Sequence, residues 1–426
     1  MGLFQTVGIN TSIAVIAFGL TFALTPLFRR IFGAYGVVDV PDQARKTHTH
    51  PIPRGGGIAI AASWIASFFI ARRWLGVADE QLSFVWKVLP AACVIFTVGI
   101  IDDFWGLKPR QKLAGQIVAA GIACWSGILA TDGSAVTEHT WWKIPAAIVW
   151  LLACTNGFNL IDGLDGLAAG AGLFATLAMF VIALIQGDVA LAIAALPLAG
   201  CLIGFLWFNF NPATIFLGDS GSLLIGFLLG CFGLAGMAKS ITPMSTAAPM
   251  IALSLPLGDT GIAIVRRFLQ GQPIFRADRG HIHHRLLDRG LSPKTALAAL
   301  YGFCFVASLI AVLQTRIQSE AIFAVLIAGF LSVAYFGATF LGYTALSLAG
   351  RRTVPQMTAL QRSTTNLRAV AGSIRMAEAG AGLRLIPTHM LITDEVRWQA
   401  ASHRPTGRGA RGSRRGDWTD LTGIPE

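Results

Sequence analysis

The chain has 426 residues, 54% hydrophobic and only 13% charged, with a mean hydropathy of +0.63. Soluble domains carry about a quarter charged residues, so an ordinary water-soluble globular protein is excluded. A formal charge of +11, from 33 Lys and Arg against 22 Asp and Glu, points in so apolar a chain to orientation in a bilayer, and nucleic acid is not an expected partner.

About 20 apolar residues cross a hydrocarbon core about 30 Å thick, and windows of that size recur through the first 350 residues. Eleven are predicted, at residues 9–28, 55–71, 84–101, 113–130, 144–160, 166–186, 189–208, 216–238, 246–265, 296–314 and 320–348. The expected fold is an all-α polytopic membrane protein with about 11 transmembrane helices. Asn and Asp within 144–186 leave open a broken or short pair there and a total of ten. With the N-terminus outside, 15 of the 21 Lys and Arg in residues 1–350 fall on the opposite side. The positive-inside rule therefore places the N-terminus outside and the C-terminus in the cytoplasm. The first basic residue, Arg29, follows the first apolar run, so that run is expected to stay as a helix and not to be a cleaved signal.

Composition changes at the end of these windows. Residues 351–426 hold 12 basic and six acidic residues, in stretches such as SHRPTGRGARGSRRGD that lack apolar periodicity. Such a segment cannot bury enough surface to offset chain entropy. Residues 1–350 are thus expected to form the membrane domain and 351–426 a disordered basic tail, free to meet anionic lipid. The six cysteines sit singly in apolar runs and read as small buried hydrophobes.

Polar groups cost free energy inside a membrane unless they line a wet or functional cavity. Five aspartates end apolar windows on the side assigned to the cytoplasm. Asp102 and Asp103 lie in GIIDDFWGLKPRQK, Asp162 and Asp165 in TNGFNLIDGLDGLAAG, and Asp219 in FNPATIFLGDSGSLLIG. Their common placement predicts one site. Lys108, Arg110 and Lys112 read as local neutralisers of the first pair. Asn156, Asn159, Asp162 and Asp165 recur every three residues, a spacing that drifts by about 60° per step on a regular helix. Gly157, Gly163 and Gly166 would let this segment unwind or tighten into a 3₁₀ form that gathers the four. Around Asp219, Gly218, Gly221 and Ser222 at a helix start offer backbone donors to a phosphate.

The segment PIFRADRGHIHHRLLDRGLSP adds His281, His283 and His284, with Arg276, Arg279 and Arg285, as a dense cationic loop on the same side. Zinc is disfavoured because no Cys joins the histidines, whereas hard carboxylates suit Mg²⁺ and Arg and His suit phosphate oxygens. Lys46, His48 and Arg54 in RKTHTHPIPRGGG make a second anion-binding candidate. Acids for a metal and bases for phosphates on one membrane face describe phosphoryl-transfer chemistry. A secondary transporter is the alternative from another class. Against it stand the lack of an internal repeat and the placement of the charges at one interface.

Taken in order from about Thr25 to about Leu348, VVDVPDQARKTHTHPIPRGGG and the aspartate and histidine segments resemble the polyprenyl-phosphate N-acetylhexosamine-1-phosphate transferases, membrane enzymes that begin bacterial surface-glycan synthesis. The histidine loop resembles the branch that uses UDP-N-acetylglucosamine or a related UDP-HexNAc more than the phospho-N-acetylmuramoyl-pentapeptide transferases. The resemblance implies that a lipid phosphate, usually undecaprenyl phosphate, displaces UMP from a UDP-HexNAc donor with Mg²⁺ or Mn²⁺. It implies an active site on the cytoplasmic face of the plasma membrane, and leaves a homodimer open. Residue by residue, it implies Asp219 as metal ligand, Asp102 as base or orienting group for the lipid phosphate, and Asp103 as second acid or metal partner. Asn156, Asn159, Asp162 and Asp165 match the nucleotide and catalytic loop, and Leu164 and Phe216 match positions that flank uracil. His281, His283 and His284 match phosphate-contacting histidines, with Arg279, Arg285, Lys46 and His48 as further substrate contacts. Asp259, in LSLPLGDTGIAIVRR, matches a family position without an assigned role.

Overall fold

The computed structural model describes residues 3–39, 51–129, 141–238, 245–272, 280–317 and 319–342. Lys46, His48, Arg276, Arg279 and the tail from residue 351 lie outside the described residues. Thirteen α-helices run through the described part: α1 Leu3–Ala34, α2 Gly56–Trp74, α3 Ser83–Trp105, α4 Pro109–Trp125, α5 Lys143–Ile161, α6 Leu167–Ile185, α7 Val189–Asn209, α8 Gly218–Ala238, α9 Ala248–Ala252, α10 Ser254–Leu269, α11 Ile282–Asp288, α12 Pro293–Gln314 and α13 Glu320–Phe340. A 3₁₀ turn, Ser245–Ala247, precedes α9, and β1 Val38–Asp39 pairs antiparallel with β2 Ile52–Pro53.

Each of the eleven apolar windows overlaps helix among the described residues, and eight of the described helices are long and apolar enough to cross a membrane. The other three windows coincide with α2, α4 and the α9–α10 stretch. α2 is diluted by glycine and serine and ends in Arg72 and Arg73, α4 has 17 residues and a polar first turn, and the helix broken at Leu253 leaves α10 with 16. The chain is a multi-pass helical membrane protein.

α8 stands at the centre, with every residue from Ser220 to Gly236 buried. Glycine permits its tight packing. A Cβ on Gly57 of α2 would lie 2.1 Å from the Gly221 nitrogen, and one on Gly99 of α3 would lie 2.4 Å from Ser220 Cα. Small residues serve α1 and α7 in the same way, since a Cβ on Gly200 would stand 2.2 Å from the Ala14 carbonyl oxygen. At the other extreme, Phe330 is the one buried side chain described on α13, most of whose residues are exposed. Four cysteines are buried as expected, but Cys124 is half-buried and Cys93 is exposed on the outer surface of α3.

Candidate active site

The site is built around the start of α8. Phe216 and Leu217 run alongside the end of β2: Phe216 N–H donates to the Pro53 carbonyl, and the N–H groups of Gly56 and Gly57 donate to the carbonyls of Phe216 and Leu217, each at 2.9 Å. Gly218 then turns the chain at φ +76°, where a Cβ would also lie 2.8 Å from an Asp103 oxygen. Both conditions require glycine. Asp103 accepts from Asp219 N–H at 2.7 Å and from Ser220 N–H at 2.9 Å. It caps α8 from another helix, occupying donors that have no intrahelical partner. The expectation of a second metal ligand thus meets a carboxylate with both oxygens held by main chain.

Asp219 points its carboxylate the other way. Oδ1 accepts from Asn159 Nδ2 at 2.6 Å and Oδ2 from Lys112 Nζ at 2.6 Å. The same ammonium stands 2.7 Å from Asp102 Oδ2 and 3.2 Å from Asn159 Oδ1. Asp102 also accepts from Leu107 N–H at 2.6 Å, which folds the turn leading to α4. Lys112 therefore joins α3, α4, α5 and α8 at one point. One turn further along α4, Gln116 and Asn156 exchange amide hydrogen bonds at 2.8 and 3.1 Å.

The predicted unwinding of residues 156–165 occurs only from Asp162 onward. α5 is regular through Ile161, so Asn156 faces Gln116 while Asn159 faces Asp219. Asp162 follows at the helix end, half-buried. Desolvation, then the negative charges of Asp219, Asp103 and Asp165, push its carboxyl well above the usual range, with Arg54 opposing them. Asp165 accepts from Asn211 Nδ2 and Ala213 N–H, both at 3.0 Å, and so shapes the loop before Phe216. Leu164, expected beside a base, lies in the core at 7% exposure, whereas Phe216 is half-buried at the α8 approach.

The histidines form the other wall. A Cβ on Gly163 would come within 2.4 Å of His283 Nε2, so the α11 helix meets the turn after α5 without an intervening side chain. His283 is buried, and Nε2 has no hydrogen-bond partner among the described residues. Burial, then neighbouring His284, lowers its pKa from 6.5 to about 3. Burial thus disfavours the charged form of this ring, so His283 adds little to the cationic character expected of the loop. The His284 ring centroid is 4.2 Å from that of His283. Arg285 donates to the Leu341 carbonyl at 2.9 Å, and Arg289 lies over Phe340 at 4.6 Å, so both guanidinium groups engage the end of α13.

Lys112 and Gln116 were not among the predicted site residues, and Asp259 matched a family position without an assigned role. Lys112 and Gln116 lie four residues apart, on one face of α4, and that polar pair on a largely apolar helix was their available signal. Asp259 is buried on α10, against the first residues of the histidine helix. The donor set fits a hard divalent cation. Asp102 and Asp219 supply carboxylate oxygens and already share one positive charge, and Mg²⁺ commonly takes one or two carboxylates together with water and substrate phosphates. Among the described residues, no group of three or more His, Cys, Asp or Glu is arranged to enclose a metal.

A membrane bundle whose acidic groups meet at helix ends is the class that fold and site define. The model described as "Glycosyl transferase family 4" matches residues 85–256. The chain is 36% identical over 294 residues, 68% of its length and 80% of the relative's, to a Bacillus subtilis (strain 168) protein named a probable undecaprenyl-phosphate N-acetylglucosaminyl 1-phosphate transferase. It is 34% identical over 326 residues, 66% of its length and 78% of the relative's, to the decaprenyl-phosphate N-acetylglucosaminephosphotransferase of Mycobacterium tuberculosis (strain ATCC 25618 / H37Rv). Likeness to the phospho-N-acetylmuramoyl-pentapeptide-transferase of Moorella thermoacetica (strain ATCC 39073 / JCM 9320), 36% over 207 residues, spans 44% of the chain and 64% of that protein. The chain belongs to glycosyl transferase family 4, among the polyprenyl-phosphate N-acetylglucosamine-1-phosphate transferases, which displaces the transporter alternative.

Proposed function

We propose that the protein transfers N-acetylglucosamine-1-phosphate from UDP-N-acetylglucosamine to a polyprenyl phosphate, with undecaprenyl phosphate the expected acceptor, and releases UMP. A lipid phosphate oxygen attacks the β-phosphorus that carries the sugar. The bond from that phosphorus to the bridging oxygen breaks, and the bridging oxygen departs with UMP. The observation that carries this reading is the convergence of Asp102, Asp219 and Asn159 on Lys112, beside the capped start of α8.

Asp219 is the first choice to hold Mg²⁺ or Mn²⁺, with Asp102 beside it. The ion would neutralise the diphosphate and stabilise charge on the leaving phosphate. Lys112 keeps the two carboxylates from repelling each other and orients Asp219, while Asn159 fixes its second oxygen. Asp103 positions α8. Asp162 stands at the donor side with a raised proton affinity, and neutral His283 presents one uncharged nitrogen toward the same turn. The distribution of Lys and Arg supports an active site on the cytoplasmic face of the plasma membrane, where a soluble donor enters and a lipid acceptor arrives sideways. It likewise supports the N-terminus outside.

The deciding assay is Mg²⁺-dependent UMP release from UDP-N-acetylglucosamine and undecaprenyl phosphate in detergent, with other UDP-HexNAc donors and UDP-N-acetylmuramoyl-pentapeptide as competitors. Release with the first donor is expected. No UMP from any UDP-HexNAc, in a folded sample, would overturn the reading.

A further inference from the structure

Asp259 lies on α10 and is 1% exposed. Both its oxygens go to one target. Oδ2 stands 2.8 Å from Nδ1 of His281, and Oδ1 accepts from Ile282 N–H at 2.9 Å. Ile282 is the first residue of α11, and His281 precedes it in extended conformation as the N-cap residue. The carboxylate therefore satisfies an N–H that lacks an intrahelical partner. It also fixes the imidazole, because a carboxylate accepts only and Nδ1 must carry the hydrogen. Nε2 is the ring nitrogen left to meet another group.

The same helix grips the chain one residue earlier. Arg266 Nη1 donates to the Gly280 carbonyl at 2.9 Å, and a Cβ on Gly280 would lie 2.5 Å from the centre of that guanidinium. α10 thus holds residues 280, 281 and 282 by three side-chain contacts. His281 and His283 rings are nearly parallel, at 8°, with centroids 6.1 Å apart, and the second abuts Gly163, the residue after Asp162.

We infer that Asp259 is a positioning residue for the transfer reaction: by binding Nδ1 of His281 and Ile282 N–H together, it keeps the hydrogen on Nδ1 and sets the direction of the ring, so that Nε2 faces the substrates as a hydrogen-bond and proton acceptor. The role rests on the proposed function, while the tautomer it imposes does not. Asp259→Asn keeps the shape and the acceptor for Ile282, but its amide donates to Nδ1 and so favours hydrogen on Nε2.

Two measurements test it. In ¹⁵N-histidine-labelled full-length protein in detergent, the His281 signal, assigned by its loss in His281→Gln, is expected to show hydrogen on Nδ1, and D259N is expected to move it to Nε2. An unchanged His281 spectrum in folded D259N overturns the inference. In the UMP-release assay, D259N is expected to lower kcat on the order of 10–100-fold with little change in donor KM. His281→Ala should lose at least as much, and the double variant no more than His281→Ala. Losses that multiply in the double variant would show that Asp259 does not act through His281. If the wild type released no UMP, the proposed function would fall, and the spectrum would still decide the Asp259–His281 pairing.

Discussion

Replacing Lys112 with Met removes an ammonium 2.6 Å from Asp219 and 2.7 Å from Asp102, leaving two carboxylates face to face. The expected cost is roughly 1–3 kcal/mol of stability, below that of breaking a fully buried pair because the Asp219 side chain keeps 33% exposure. UMP release should fall at least about 100-fold, since misplacing a site group by about 1 Å can cost that much. Wild-type turnover in Lys112→Met would remove Lys112 from the site. Gly163→Ala tests the opposite wall. Its methyl group would stand 2.4 Å from His283 Nε2, so the imidazole must move, and kcat should drop about 10-fold or more while the protein remains folded. An unaffected kcat would show that His283 has room to yield. At this scale the sequence displayed acids better than their partners. Asp102, Asp162 and Asp219 break apolar runs and draw notice. Lys112 near an aspartate pair looks the same whether it is solvated or reaches across three other helices. Nor could spacing reveal that Asp103 would turn to main chain while Asp102 turned to Lys112.

Helix contacts make a second kind of prediction. Gly57→Ala would press a methyl group into the Gly221 backbone, where no rotamer change relieves it, and should cost about 1–3 kcal/mol along with most activity. Gly121→Ala on α4 meets nothing within 4 Å and should leave activity unchanged, with up to about 1 kcal/mol gained from helix propensity. Thermal unfolding and UMP release of the two variants check the contrast, and equal behaviour would contradict the packing of α2 against α8. The apolar windows anticipated where helices lie because hydropathy is a local property of the chain. They did not anticipate the break at Leu253, where apolar residues continue on both sides, nor the regularity of α5 through Asn156 and Asn159. The latter depends on Gln116 and Asp219, residues distant in sequence that satisfy the two amides separately.

For the whole molecule, His283 gives stability a pH dependence of definite sign. Its pKa falls from 6.5 in the unfolded chain to about 3 in the fold, so its contribution is complete above about 6.5 and is lost progressively as pH falls toward 3. Asp162 acts in the other direction: its raised pKa favours the fold at low pH, and that contribution is lost as pH rises through the raised value. Thermal unfolding of wild type and His283→Asn between pH 7 and 5 should show a shallower acid loss in the variant, and identical slopes would contradict the assignment. Deleting residues 351–426 should leave UMP release within about twofold, because every proposed site residue precedes them. Complete loss in folded truncated protein would show that the tail serves catalysis. The close approach of Gly57, Gly99 and Gly221 has a consequence for how this family can diverge. Where main chain rests on main chain, the distance from the α3 aspartates to the start of α8 is measured by atoms common to every amino acid. The outward faces of helices such as α13 can exchange one apolar residue for another, following the lipids of different membranes, without altering the gauge to which the chemistry is set.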